Sequence, residues 1–204
     1  RANNQTENVY EVRMGITGGD NDIAIKGKYR SKEGGSELDL NLDFNKMNLA
    51  SIEPFVFGSV QRLSGRMSGD LHMTGTIKKP SMSGNLKFIN TACNPTILGS
   101  YVRVNNGQII FDGKGVHFGS FDLIDTLGNQ ASLSGNLFTE DFRDFSYDFR
   151  IHTENFLLMN TPASRDALYY GTVFLDSDIF VGGDQEKPVI RMQAQLDKGT
   201  DLAV

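Results

Sequence analysis

Leu38, Leu40, Leu42 and Phe44 are separated by Asp39, Asn41 and Asp43. Further on, Met67, Leu71 and Met73 share parity with Gly65, Gly69 and Gly75, and Arg66, Ser68, Asp70, His72 and Thr74 fill the gaps. A period of two gives a strand one apolar and one wet face. The pattern recurs along most of the chain with almost no helix-period sequence, which predicts an all-β fold dominated by one large sheet.

Composition supports a thin-cored, extended sheet rather than a compact globule. The 204 residues are 39% hydrophobic, with 22 glycines, no tryptophan and 14 phenylalanines. A net charge of −5 with scattered Lys and Arg argues against a nucleic-acid partner, which needs clustered cations. The single cysteine, Cys93, excludes an internal disulfide framework and reads as a small buried or half-buried thiol. No segment approaches the ~18 apolar residues of a membrane span, and no signal-peptide pattern occurs. The chain runs from Arg1 to Val204 as one domain and reads as a piece of a longer protein.

Tyr10 to Ile16, Ile23 to Tyr29 and Leu38 to Phe44 read as a three-stranded meander turning at Gly18–Asp22 and Lys32–Ser36. Leu49, Ile52, Phe55 or Val56, Val60 and Leu63 recur near helical spacing, with Ser51 as a cap and Pro54 in the first turn. A short amphipathic helix against a sheet end is expected there. Strand signals resume at Gly65. Asn106-Gly107 between Val102, Val104 and Ile109, Phe111 predicts a hairpin turn. Val116, Phe118 and Phe121, Leu123 read as two short strands around Gly119. A weak internal repeat relates residues 38–90 to 145–197. Gly75 precedes Pro80 by five residues, Gly183 precedes Pro188 by five, and the apolar positions around both pairs match in offset. Phe174 and Phe180 break the pattern by lying on the wet parity, and a covering loop through Pro162 to Tyr170 is expected.

Convergent reactive groups are missing from the pattern. His72, His117 and His152 lie far apart in strand sequence, at no metal-ligand spacing from one another or from Cys93. They read as solvent-face residues. Gly113-Lys114-Gly115 is too short for a phosphate cradle. Asp20-Asn21-Asp22 suits turn chemistry better than calcium. The carboxylate pairs Asp39 with Asp43 and Asp176 with Asp178 are what the wet side of an acidic sheet looks like. No enzyme, cofactor or metal is expected.

Attention therefore falls on the apolar face. A contiguous stripe must be buried or used. It can form a sandwich core, remain structural behind a functional wet face, or line an open trough for acyl chains. Gly65, Gly69, Gly75, Gly84 and Gly135 on the apolar parity favour a groove, because a close-packed core would fill those positions. The expected lining is Leu38, Leu40, Leu42, Phe44, Met67, Leu71, Met73, Met82, Leu86, Phe88, Ile109, Phe111, Leu133, Leu137, Leu175, Ile179, Val181, Ile190 and Met192. Each CH₂ of a tail moved onto such a surface gains ~0.8 kcal/mol, and a lining uniform from strand to strand lets a tail slide rather than lodge.

Several stretches, in this order, resemble the C-terminal region of the TamB family in the AsmA-like group. They are Leu63-Ser64-Gly65 through Gly69-Asp70-Leu71-His72-Met73-Thr74-Gly75, Lys79-Pro80-Ser81-Met82-Ser83-Gly84-Asn85-Leu86, and Val104-Asn105-Asn106-Gly107-Gln108-Ile109-Ile110-Phe111-Asp112. Asn155-Phe156-Leu157-Leu158-Met159-Asn160-Thr161, Ala167-Leu168-Tyr169-Tyr170-Gly171-Thr172-Val173 and Lys198-Gly199-Thr200 are similar to versions from Bacteroides-type bacteria. The resemblance implies a periplasmic protein anchored to the inner membrane, built as a curled β-sheet trough or β-taco. It also implies partners: phospholipid acyl chains or unfolded β-strands, and a TamA-like outer-membrane barrel. The implied work is phospholipid transfer to the outer membrane, outer-membrane protein assembly, or both. The competing reading is a surface adhesin or carbohydrate-binding β domain, for which Tyr101, Tyr169 and Tyr170 are the visible stacking candidates.

Overall fold

A computed structural model describes residues 8–32, 35–56, 58–96, 98–139, 142–163 and 170–203. The strands are β1 (Asn8–Gly18), β2 (Asn21–Lys32), β3 (Gly35–Asn48), β4 (Val60–Thr76), β5 (Pro80–Pro95), β6 (Val102–Asp112), β7 (Gly115–Ile124), β8 (Gln130–Phe138), β9 (Ser146–Thr161), β10 (Tyr170–Asp184), β11 (Pro188–Leu196) and β12 (Asp201–Ala203). β1 to β11 follow one another in space in sequence order as a single antiparallel meander, and β12 pairs with β10. The two ends of the order, β1 and β11, do not pair with each other, so the sheet is open. The all-β curled sheet expected from the alternation is what forms.

Curvature comes from specific residues. Phe156 of β9 packs in one buried cluster with Val102 of β6 and Ala131 of β8. In a flat sheet β6 and β9 would lie about 14 Å apart. Glycines let the ribbon bend. Gly69 has φ +145°, and a Cβ there would lie 2.0 Å from the Asn85 carbonyl oxygen; Gly84 has φ +132° and would meet the Asp70 carbonyl at 2.2 Å. These glycines are required by backbone geometry and close strand approach. The expectation that they leave room for a ligand is therefore replaced: a side chain there would enter the neighbouring strand's backbone.

Three local expectations are corrected. The helix is a 3-10 helix over Leu49–Val56, while Val60 and Leu63 belong to β4. Its cap is Asn48, whose Oδ1 accepts from Ala50 N at 3.1 Å; Ser51 instead accepts from Asn21 Nδ2 at 3.0 Å. Asn106-Gly107 is no turn but an irregularity inside β6, where the register with β7 shifts on both sides of Asn106. A Cβ on Gly107 would lie 2.5 Å from the Phe121 ring, so this glycine accommodates an aromatic neighbour. Likewise β7 is one strand, with a register shift between Phe118 and Phe121 that leaves both rings on the apolar face although they are three apart.

The β4–β5 and β10–β11 hairpins close alike. Gly75 pairs with Pro80 and Gly183 with Pro188. Phe174 is met by the turn at Gly199, within 3.3 Å of where a Cβ would stand. The expected cover through Pro162 to Tyr170 falls largely on residues 164–169, outside the described residues.

Candidate functional site

Register turns the alternation into a continuous surface. One row of directly opposed residues runs Phe44, Gly69, Leu86, Ile109, Phe118, Gly135, Phe149, Val181, Ile190 across β3 to β11. A second runs Leu42, Leu71, Gly84, Phe111, Val116, Leu137, Tyr147, Gly183. Leu40, Met73 and Met82 form a shorter row, as do Met67 with Phe88, and Leu133 with Ile151, Ile179 and Met192. Leu38 faces Gly75, and Leu175 lies between Phe156 and Leu196. On β1 and β2 the face continues through Tyr10, Met14 and Ile16 opposite Tyr29, Ile25 and Ile23.

Burial divides these residues into three groups. Met67, Leu71, Leu86 and Leu175 are buried. Met67, Leu71 and Leu86 form a filled cluster with Leu49 of the 3-10 helix, joined by Leu42, Phe44, Met47, Ile52, Leu63, Met82, Phe88 and Phe111. Most of the others, including Leu38, Leu40, Met73, Ile109, Leu133, Leu137, Ile179 and Val181, are half-buried. Ile190 and Met192, on the last long strand, are 69% and 63% exposed.

The rows also reveal an aromatic band that the sequence-derived lining lacked except for Phe88. Ring centroids are 5.8 Å apart for Phe88–Phe121, 6.2 Å for Phe121–Phe118, 5.3 Å for Phe118–Phe149 and 6.5 Å for Phe149–Tyr147. Such separations suit tilted and edge-on ring contacts. Phe118 and Phe149 both stand opposite Gly135, and an aromatic facing a cross-strand glycine is the signal that would have found them.

The wet face is an ion-pair and hydrogen-bond ladder. His72 Nε2 lies 3.0 Å from Asp39 Oδ1, and His152 Nδ1 lies 2.8 Å from Asp178 Oδ1. The acceptor Oδ1 of Asn136 at 2.8 Å and the Asp112 carboxylate raise the His117 pKa. Asp178 and Glu154 raise that of His152. Asp20 pairs with Lys46 and Arg66, which hold its carboxyl below the ordinary carboxylate range, Lys46 foremost. No group of three His, Cys, Asp or Glu able to hold a metal occurs among the described residues. Cys93 is half-buried, and burial raises its thiol pKa.

One buried carboxylate is structural. Asp125, with 0% exposure, accepts hydrogen bonds from Leu127 N (2.8 Å), Asn129 N (2.9 Å), Asn129 Nδ2 (2.9 Å) and Leu157 N (2.8 Å). Burial alone would raise its pKa, but the four donors outweigh that and lower it. The β7–β8 loop is thereby clasped to β9.

No helix among the described residues is long and apolar enough to cross a membrane. Comparison with known proteins finds no match among curated proteins or solved structures. A family model described as the TamB C-terminal domain matches residues 121–204, which span β8 to β12 and the end of β7. Over that C-terminal region the chain is similar to the TamB C-terminal domain.

Proposed function

We propose that the apolar face is the working surface, an open groove along which phospholipid acyl chains pass toward the outer membrane. The observation carrying this reading is that the registered apolar rows remain half-buried across the sheet and end on exposed side chains at β11. A sandwich core would enclose those residues, and solvent alone gives no reason to keep such a face. Neighbouring rows offer a tail similar contact with Leu, Ile, Val, Met and Phe, so the gain per CH₂ varies little as the tail advances. Leu133, Leu137, Ile179 and Val181 are the lining residues best placed to touch cargo, since Leu71 and Leu86 are committed to the cluster under Leu49. In this reading the protein is periplasmic, anchored in the inner membrane, and hands cargo to a TamA-like barrel.

A second reading has its own support. Among the described residues the outer side of β11 is unpaired, and such an edge can accept an extended strand of an unfolded outer-membrane protein. Mass spectrometry of lipids co-purifying with the chain, repeated for Leu133→Asp and Ile179→Asp, separates the two. The groove reading expects bound phospholipid in the parent and its loss in both variants with folding retained. Absence of lipid from the parent, with capture of an extended peptide, would favour strand handling.

A further inference from the structure

Phe180, one of the two residues that break the alternation, is half-buried. Its ring lies over Gly182, where a Cβ would be 2.5 Å from Phe180 Cζ. Arg150 of β9 and Arg191 of β11 are its cross-strand neighbours. Their guanidinium carbons stand 5.7 Å and 5.5 Å from the ring centroid. Among the described residues neither arginine is paired with a carboxylate. With Ser132, Ser134, Gln193 and the His152–Asp178 pair they border an open cleft of about 520 Å³. Two guanidiniums without a carboxylate partner, two hydroxyls and a side-chain amide make a donor-rich cleft suited to phosphate oxygens, and its one carboxylate, Asp178, is engaged by His152 at 2.8 Å.

Position gives the cleft its meaning. An amphiphile on an interior strand meets only one face of a sheet, but at an edge strand it can touch both. Every residue of β11 is exposed. Ile190 and Met192 point to the apolar face on either side of Arg191, which points to the wet face. The opposite rim is different, because Arg13 of β1 is neutralised by Glu11 at 3.0 Å. We propose that the β11 rim holds a phospholipid astride the sheet edge, its tail against Ile190 and Met192 and its headgroup phosphate between Arg191 and Arg150, which Phe180 keeps in place. This rests on the groove reading and adds where the cargo's polar end is held and that it must carry phosphate.

The test titrates the 204-residue chain with two monomeric probes, dihexanoyl-phosphatidylglycerol and dihexanoylglycerol, followed by NMR. The expected result is tighter binding of the phospholipid. In Arg150→Gln/Arg191→Gln the phospholipid should weaken by about tenfold, the diacylglycerol should not change, and the melting temperature should hold. Arg191→Lys should fall between, because charge is kept and the planar fork is lost. Equal affinity for the two probes, or no effect of the double substitution, would overturn the headgroup site and leave the groove standing. Failure of both probes to bind the parent chain would overturn the groove reading as well. Inorganic phosphate binding at the arginines as tightly as the phospholipid would show a site for free phosphate and overturn the headgroup assignment.

Discussion

The region around β3, β4 and β5 and the region around β9, β10 and β11 share one sequence pattern and end in different states. In the first, the 3-10 helix sets Leu49, 2% exposed, against Met67, Leu71 and Leu86, and the apolar face is filled there. In the second, the face runs out onto β11, where Ile190 and Met192 stand mostly in water. Alternation decides which side chains share a face; it does not decide what covers them. Cover comes from the piece of chain that packs over the face: the 3-10 helix between β3 and β4 supplies it in the first region, while Ile190 and Met192 on β11 remain exposed.

Charge substitutions probe this contrast most strongly. Leu71→Asp places a carboxylate inside the filled cluster and should destabilise the protein by more than about 3 kcal/mol in urea unfolding. Met192→Asp on the open rim should change it by less than about 0.5 kcal/mol. Similar losses at both sites would mean that the two regions are covered alike.

Next in size is the clasp at Asp125, which ties the β7–β8 loop to β9 of the second region. Asp125→Ala leaves two backbone donors of the loop and Leu157 N without their acceptor and should cost about 2–4 kcal/mol. Because the folded-state pKa of Asp125 is lowered, its contribution is present above the unfolded carboxylate range and is lost as pH falls through the folded value. Asp125→Asn should flatten that acid limb of the stability–pH curve.

Backbone strain comes third. Gly69→Ala would force a Cβ against the Asn85 carbonyl at a φ of +145° and should cost about 1–3 kcal/mol. A neutral result would show that the sheet can flatten at β4–β5.

The smallest effect is the histidine ladder. The pKa values of His117 and His152 are raised by Asn136 with Asp112 and by Asp178 with Glu154, respectively. Their stabilisation is full below the unfolded histidine value of about 6.5 and is lost as pH rises through the folded values. Thermal melts between weakly acidic and weakly alkaline buffer should show a small fall that His117→Gln/His152→Gln abolishes.

Much of the sheet could be read from alternation, because parity survives wherever register is regular. It failed at irregularities. Asn106-Gly107 has turn chemistry, yet the chain continues through it, since Phe121 from the neighbouring strand lies over Gly107. Phe118 and Phe121 read from sequence as separate short strands because a register shift separates them. The helical spacing from Leu49 to Leu63 was real only as far as Val56. Phe180 was legible as an exception, but its arginine neighbours come from strands 30 residues upstream and 11 downstream in the sequence, and only pairing brings them together.

The groove itself is best examined on β8. In a Cys93→Ser background, single cysteines at Ser132, Leu133, Ser134, Asn136 and Leu137 would carry a small fluorophore, and phospholipid with brominated acyl chains would be added. Quenching at Leu133 and Leu137 with little at Ser132, Ser134 and Asn136 is the predicted result, a period of two written by the cargo. Quenching without that period, or none on the apolar positions while lipid is bound, would contradict the account.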